Sequence, residues 1–175
     1  HTYPWKRKAR ETGGVFVEVN VPHGEAATPA LLEAIDERTA IVALPNLLWT
    51  TGAYVDLIAM RQRCDEVGAA LVLDLTQSAG ALVTDFEKIR PDFAAVANYK
   101  WMLCPYSTGF LYVDPAYFEG QPLEEGWVTR QGGRNFARLT ENPETFESGA
   151  IRYDMGERSN FALLPGVNEA LRQLL

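Results

Sequence analysis

Short apolar runs recur along this chain, and each is bounded by glycine, proline or polar residues. Runs of about four to eight apolar residues with such boundaries are typical of buried β-strands. On this pattern five strands are predicted, at residues 15–21, 40–44, 69–73, 93–97 and 108–113. In the first of them, VFVEVNV, apolar and polar residues alternate, as they do in a strand with one buried face.

Helices are predicted between the strands. The candidate helices are residues 4–12, a segment that begins at Thr28, residues 54–67 and residues 160–175. Apolar residues recur at helical spacing in residues 54–67, and Gly68 is expected to cap that helix in a left-handed conformation. Thr28, followed by Pro29, has the residue types of a helix N-cap and first helical position. Ser159 is expected to cap the last helix.

The alternation of strands and helices predicts an α/β fold. Strands that are joined through helices pair in parallel with right-handed crossovers, so a mainly parallel sheet is expected. A chain of 175 residues corresponds to about one domain. Residues 115–148 interrupt the pattern with glycine, proline, glutamate and arginine, and loops of this length are usually functional or mobile. Arg130, Arg134 and Arg152 are expected to be solvated surface residues of this loop-rich region.

Composition narrows the range of partners. The apolar content of 47% and charged content of 22% are ordinary for a globular protein. A formal charge of −7 argues against nucleic acid or an anionic membrane as the main partner. Cys64 and Cys104 are too few for a disulfide framework and lack zinc-site spacing, which fits a reducing cytoplasm. No apolar run approaches the roughly 20 residues of a membrane-spanning helix.

Two charged residues follow neighbouring predicted strands. Asp74 ends the strand in LVLDLTQSAGA, and Lys100 follows the next strand between Tyr99 and Trp101. Asp74 alone could be a turn or cap residue and Lys100 alone a surface lysine, but a buried carboxylate is costly without a cation. Aromatic neighbours would desolvate the lysine and make it a nucleophile able to form a Schiff base. A carboxylate and such a lysine are the pair that pyridoxal 5′-phosphate (PLP) requires.

These residues resemble a known family. The order D-x-x-Q, a strand, Y-K-W and then the glycine-led strand TGFLYV is similar to that of the class V aminotransferases among fold-type I PLP enzymes. Cysteine desulfurases, kynureninases and isopenicillin-N epimerase belong to that family. The resemblance implies a three-layer α/β/α domain, an amino-acid or amine substrate, a transaminase or lyase type of reaction, and a homodimer with cofactor sites at its interface.

The resemblance also implies individual roles. Lys100 would carry the cofactor as a Schiff base, and Asp74 would bind the pyridine nitrogen. Gln77 would lie beside the phenolic oxygen of the cofactor. Tyr99 stands where desulfurases have histidine and kynureninases have a tyrosine that binds the phosphate.

Further positions are implied less directly. Trp127 and Asn160 match kynureninase residues that reach the phosphate of the partner subunit; otherwise they are a loop aromatic and a first-turn helix residue. Trp49 falls where desulfurases place an asparagine, so it would line the cofactor pocket or fill core. Ala97 replaces a phosphate-binding serine of the desulfurases, and Cys104 is expected to pack rather than to react.

The resemblance further implies that residues 1–175 are the central part of a PLP-binding large domain. The family's phosphate-binding turn and its small C-terminal domain would then lie outside this chain. Two alternatives remain at this point: a catalytically incomplete PLP-fold scaffold, and a phospho-receiver module with an aspartate and a lysine at strand ends. The receiver is the weaker alternative, because the predicted first strand carries only Glu18 as an acidic residue.

Overall fold

A four-stranded sheet organises the chain in the computed structural model, which describes residues 2–156 and 160–175. The strands are β1 (Ile41–Pro45), β2 (Ala70–Asp74), β3 (Phe93–Ala97) and β4 (Gly109–Val113), in the spatial order β1-β2-β3-β4. The first three strands pair in parallel, and β4 runs antiparallel to β3. The predicted α/β class with a mainly parallel sheet is therefore confirmed.

Five α-helices accompany the sheet in the described residues. They are α1 (Thr2–Thr12), α2 (Ala27–Glu33), α3 (Leu57–Val67), α4 (Phe86–Ile89) and α5 (Leu164–Leu174). Helix α3 is capped at both ends: Asp56 accepts hydrogen bonds from the backbone N–H groups of Ile58 and Ala59, and Gly68 has φ 75°. The predicted role of Gly68 is confirmed, although the helix begins at Leu57 rather than at residue 54. None of these helices is long and apolar enough to span a membrane.

One face of the sheet forms the main core. Side chains alternate between faces along a strand, and the strand register places the leucines of β1 and β2 beside Ala94 of β3. Leu57, Met60 and Cys64 of α3 are at most 1% exposed and belong to the same core. Burial raises the pKa of the Cys64 thiol to about 11, and this cysteine is a buried apolar residue of the core. The opposite face includes Leu111, which is 47% exposed.

Three predictions about individual elements are wrong. Residues 15–21 form no strand in the described part of the chain, because no neighbouring strand there offers them hydrogen-bonding partners. Thr28 does not cap α2, which begins at Ala27; its hydroxyl instead accepts a hydrogen bond of 2.9 Å from the N–H of Asp56. Helix α5 begins at Leu164, later than predicted, and the proposed cap Ser159 lies outside the described residues.

The direction of β4 also differs from the parallel pairing that the strand–helix alternation suggested. The connection from β3 to β4, residues 98–108, is a loop without a helix. A parallel strand would need a crossover of about a dozen residues or more, usually helical, whereas a short loop can return the chain antiparallel. The length of this loop therefore sets the direction of β4.

The long segment after β4 is built from short 3₁₀ helices rather than from unordered loop. They cover Pro115–Tyr117, Trp127–Thr129, Phe136–Glu141 and Ala150–Tyr153. Arg152 is 6% exposed, contrary to the expected surface position. Its guanidinium donates to the carbonyl oxygens of Gly120 and Glu147 at 3.1 and 3.3 Å and pairs with Glu119 at 3.1 Å. The arginine thus ties the two ends of this segment together.

A buried ion pair lies at the amino edge of the sheet. The carboxylate of Asp92, just before β3, accepts hydrogen bonds from the N–H of Leu71 at 2.7 Å, from Arg61 at 2.8 Å and from the Tyr117 hydroxyl at 2.9 Å. The Arg61 side chain is 8% exposed and also pairs with Asp65 at 2.8 Å. Burial alone would raise the pKa of Asp92, but the bonds from Leu71, Arg61 and Tyr117 prevail and hold this pKa below its usual range.

Replacing Asp92 should destabilise the fold strongly. In Asp92→Asn, Arg61 stays buried without its main carboxylate, and losing one partner of a buried pair costs about 3 kcal/mol. Urea denaturation should show this loss as a lower midpoint at an unchanged slope. The control is Asp36→Asn, which removes an exposed pair with Arg38 and should leave the midpoint nearly unchanged. Equal midpoints for the two variants would contradict the assigned role.

The same pair should make stability depend on pH. Because the folded-state pKa of Asp92 is lowered, its charge stabilises the folded protein at pH values above the ordinary carboxyl pKa of 3.8. This stabilisation is lost as the pH falls below that value through the folded-state pKa. The difference in unfolding free energy between wild type and Asp92→Asn should be constant near neutral pH and shrink in acid. Denaturation curves from pH 7 to pH about 3 test this, and a constant difference would refute it.

Candidate functional site

The first three strands end at one edge of the sheet because they are parallel. In the register Pro45 lies beside Asp74, and Asp74 lies beside Ala95. The loops after these strands, residues 46–56, 75–85 and 98–108, therefore leave from the same edge. This carboxyl edge is where open α/β sheets bind ligands.

A hydrogen bond joins the loop after β2 to the end of β3. Asp74 is half-buried, and its Oδ1 accepts from the N–H of Thr76 at 2.9 Å. The hydroxyl oxygen of Thr76 in turn accepts from the N–H of Ala97 at 2.9 Å. The turn that carries Asp74 is thus fixed to the strand that leads into Lys100.

A second contact brings the same two loops together. Gly80 has φ 91°, and a Cβ added to it would lie 2.4 Å from the Trp101 carbonyl oxygen and 2.9 Å from the Met102 nitrogen. Only glycine allows both this left-handed conformation and this close approach. The loop that contains Gln77, which is half-buried, therefore packs directly on the peptide that follows Lys100.

Lys100 is half-buried in a turn that carries several aromatic side chains. The Lys100 carbonyl accepts a hydrogen bond from the N–H of Leu103 at 3.0 Å. The Nζ atom of Lys100 lies 5.7 Å from the centre of the Tyr99 ring. Tyr99 is 37% exposed and stacks on Tyr106 with ring centres 4.4 Å apart. Leu103 and Ser107 adopt left-handed φ angles of 57° and 65°. Such angles are strained in residues other than glycine, so the turn depends on its neighbours for its shape.

The other predicted residues lie on three further segments. Trp49 is 79% exposed at the tip of the loop after β1, which a bridge between Leu47 and Tyr54 closes. Trp127 stacks edge-on with Phe136 at 5.6 Å and lines a cavity of about 510 Å³ formed by residues 125–144. Asn160 precedes α5 and accepts from the N–H of Leu163 at 3.3 Å. The contacts described above tie the segments of Asp74, Gln77, Tyr99 and Lys100 together, and none of them includes these three residues.

Cys104 packs rather than faces the loops at this edge. It is 6% exposed and forms a small cluster with Val167 and Ala170 of α5. Burial raises the pKa of its thiol, which disfavours the reactive thiolate. The predicted packing role is confirmed. Among residues 2–156 and 160–175 there is also no group of three or more His, Cys, Asp and Glu side chains that could hold a metal ion.

Two polar contacts of this edge were not anticipated from the sequence. The hydroxyl of Thr76 links two loops, and no sequence pattern pointed to that role. Asn98 was not singled out, although its backbone closes the Lys100 turn by accepting from the N–H of Cys104 at 3.2 Å. The only available signal for Asn98 was an asparagine directly after a short apolar strand, which is common at ordinary turns.

Fold and site together define an α/β domain with a carboxylate and a primary amine on adjoining loops of one sheet edge. Residues 1–171 match the family model "Aminotransferase class-V". The chain belongs to the class V aminotransferase family, and this replaces the phospho-receiver alternative.

Curated relatives carry several activities. The chain is 32% identical to a probable cysteine desulfurase of Methanothermobacter thermautotrophicus, covering 85% of this chain and 38% of the relative. It is 29% identical to isopenicillin N epimerase of Streptomyces clavuligerus, over 71% of this chain and 32% of that enzyme. It is 36% identical to kynureninase of Pseudomonas fluorescens, over 55% of this chain and 24% of that enzyme. The chain thus spans well under half of the length of these relatives.

Solved structures share the fold. The apo structure of a cysteine desulfurase from Thermococcus onnurineus NA1 aligns with a TM-score of 0.82 at 21% identity, covering 98% of this chain and 42% of that one. The cystine C-S lyase C-DES in complex with cysteine persulfide aligns with a TM-score of 0.83 at 24% identity, covering 97% and 45%. The described part of the chain therefore has the fold of these enzymes.

The close approach at Gly80 yields a test. Gly80→Ala should destabilise the protein by several times the cost of Gly24→Ala, because the Gly80 Cβ would collide with the Trp101 carbonyl. Gly24 is the matched control: it has φ 87° but no atom within 4 Å of an added Cβ, so only backbone strain of roughly 1 kcal/mol applies. Urea denaturation of both variants measures the difference. Equal losses would show that the two loops do not pack as described.

Proposed function

We propose that this chain forms the PLP-binding core of an enzyme that acts on amino acids, with Lys100 as the lysine that bonds covalently to the cofactor. One observation carries the proposal. The Thr76–Ala97 hydrogen bond and the Gly80–Trp101 contact hold the loops of Asp74 and Lys100 against each other at the carboxyl edge. Family membership supports the cofactor, because class V relatives include a C-DES mutant with glycine covalently linked to PLP.

The residues present fit this cofactor. PLP has a basic ring nitrogen and an aldehyde, and it needs an anionic partner for the first and a primary amine for the second. Asp74 supplies the carboxylate, and its Asx turn with Thr76 fixes the direction of one carboxylate oxygen. Lys100 supplies the amine on the adjoining loop, half-buried beside the Tyr99 ring.

Bound PLP supplies an aldehyde that reacts with amines and a ring that withdraws electrons from the substrate α-carbon. Asp74 holds a proton on the ring nitrogen and so strengthens that withdrawal. Lys100 would accept a proton from the α-carbon and return one. Gln77 would donate to the phenolic oxygen and Tyr99 to the phosphate.

The exposed aromatic and amide residues fit supporting roles in this proposal. Trp49, on the neighbouring loop of the same edge, would line the cofactor pocket. Trp127 and Asn160 would reach the phosphate of the cofactor in a second copy of the chain. Their exposure, 39% for Trp127, leaves both side chains accessible to such a copy.

The reaction proposed is of transaminase or lyase type on an amino acid or amine. Relatives named as cysteine desulfurase, kynureninase and isopenicillin N epimerase support an amino-acid substrate without choosing one. All these reactions begin when a bond to the α-carbon, the carbon that carries the amine, is broken. Groups beyond Asp74 and Lys100 therefore select among them.

The wider setting is part of the same proposal. Residues 1–175 would be the central part of a PLP-binding large domain, in a homodimer with cofactor sites at the subunit interface. Coverage of 42–45% of the fold neighbours supports the first statement. Two free cysteines support a cytoplasmic location. A scaffold with this fold but without activity is the alternative.

Borohydride labelling tests the role of Lys100. After addition of PLP, reduction and peptide mapping should place the label on Lys100, and Lys100→Ala should abolish both the label and the visible absorption band. Lys88→Ala, which changes an exposed lysine paired with Asp85, is the control and should label as wild type does.

Each outcome of this labelling has a meaning. A label that appears only in a protein of the full length of the relatives supports the assignment and shows that residues 1–175 do not retain PLP alone. Absence of label from both proteins would favour the scaffold. A label on another lysine would remove Lys100 from its role.

Asp74→Asn tests the charge of Asp74 separately from the contribution of this residue to folding. The asparagine keeps an oxygen for the Thr76 hydrogen bond but loses the charge that holds the ring proton. Exchange of the α-proton in D₂O should fall on the order of a hundredfold for L-cysteine or L-kynurenine, with little change in thermal stability. The control is Asp114→Asn, since Asp114 makes the same 2.9 Å bond two residues ahead, to Ala116, but after the antiparallel β4. Equal exchange rates in the two variants would contradict the role of Asp74.

A further inference from the structure

An amide without protein partners lies at the base of the Lys100 turn. Asn98 is 1% exposed, and neither Oδ1 nor Nδ2 of its side chain has a hydrogen-bond partner among the described residues. A buried amide left unpaired carries a desolvation cost, so buried amides are retained where something binds them. The side chain therefore marks a polar site inside the protein.

The backbone of Asn98 fixes where that site lies. Its N–H donates to the Thr108 carbonyl at 3.2 Å, one step beyond the last pair of the β3–β4 ladder, Ala97 with Gly109. Side chains continue to alternate between the two faces of the sheet along this ladder. Asn98 therefore lies on the same face as Ala94, which is the core face covered by α3. Asp74 pairs with Ala95 and so lies on the opposite face.

This placement decides what can bind the amide. A ligand held by Asp74 would be on the other side of the sheet edge, so direct contact between Asn98 and the same ligand is disfavoured. The residues on that face, such as Ala94 and Val96, belong to the apolar core. Small polar sites in apolar surroundings hold ordered water that makes about three hydrogen bonds. Water is therefore the partner that the chemistry selects.

The same residue closes the turn that holds Lys100. The Asn98 carbonyl accepts a hydrogen bond from the N–H of Cys104. This bond joins the two buried residues at the start and the end of the turn. Within that turn Leu103 has a left-handed φ of 57°, a strained conformation for leucine. A group that anchors the base of the turn opposes relaxation of this strain.

We propose that Asn98 is a positioning residue whose amide binds an internal water and thereby fixes the orientation of the Lys100 turn. This inference rests on the proposed function of Lys100. It assigns to Asn98 no contact with substrate or cofactor.

The test compares two buried asparagines. Asn98→Leu is a near-isosteric apolar change that expels the water, and Asn46→Leu is the matched control. Asn46 is 4% exposed, follows β1, and also has an unpartnered Oδ1 on the core face, but it is not in the Lys100 turn. Both changes remove a buried amide whose Oδ1 has no partner among the described residues, so they should shift the thermal midpoint of the PLP-free protein by similar amounts.

Only Asn98→Leu should alter cofactor binding. We expect its PLP dissociation constant to rise roughly tenfold and the pH midpoint of the Lys100-linked absorption band to shift, with Asn46→Leu like wild type. Asn98→Ser, which keeps a hydroxyl and leaves room for water, should restore most of the affinity. These measurements use the protein, residues 1–175 or the longer one, in which PLP and borohydride label wild type at Lys100. If neither is labelled, the proposed function fails before Asn98 is tested.

Two results would overturn the inference. One is an Asn98→Leu variant whose PLP affinity and band titration match those of Asn46→Leu. The other is a crystal structure with no water oxygen within about 3.2 Å of the Asn98 amide. If Asn98→Leu does not fold, the crystal structure and the Asn98→Ser titration decide.

Discussion

The half-buried carboxylate of Asp92 is the contact on which the arrangement of the sheet depends. Through Arg61 it binds helix α3, through the N–H of Leu71 it binds β2, and through Tyr117 it binds the segment after β4. Its own backbone exchanges hydrogen bonds with Leu71 and Asp114. One charge therefore fixes the mutual positions of three strands and a helix at the amino edge. Parallel register carries this alignment to the opposite edge, where Asp74 must meet the Lys100 loop.

The two edges use charge in opposite ways. At the amino edge Asp92 and Arg61 form an ion pair with each other, which stabilises the folded state. Their charges are therefore used for folding rather than for chemistry. At the carboxyl edge the two loops are joined by contacts that do not use the charges of Asp74 and Lys100: the Thr76 hydroxyl and the Gly80 backbone. Neutral groups thus make the two contacts that join these loops.

Sequence patterns predicted the interior of the fold better than its margins. The strand Phe93–Ala97 and the cap Gly68 were predicted as found, because an apolar run and a glycine after a helix are set by local chemistry. The strand at residues 15–21 was wrong because strand formation needs a partner, which a local pattern does not report. The structural role of Asp92 could not be predicted from a local pattern, because its three hydrogen-bond donors come from distant parts of the chain.

The Lys100 turn shows why family membership does not settle chemistry. Its shape is imposed: Leu103 and Ser107 adopt conformations that cost non-glycine residues about 1–2 kcal/mol each. Tyr99 is held by stacking on Tyr106. Relatives named cysteine desulfurase, isopenicillin N epimerase and kynureninase belong to the same family. Membership of this family therefore leaves the differences between these activities to individual residues.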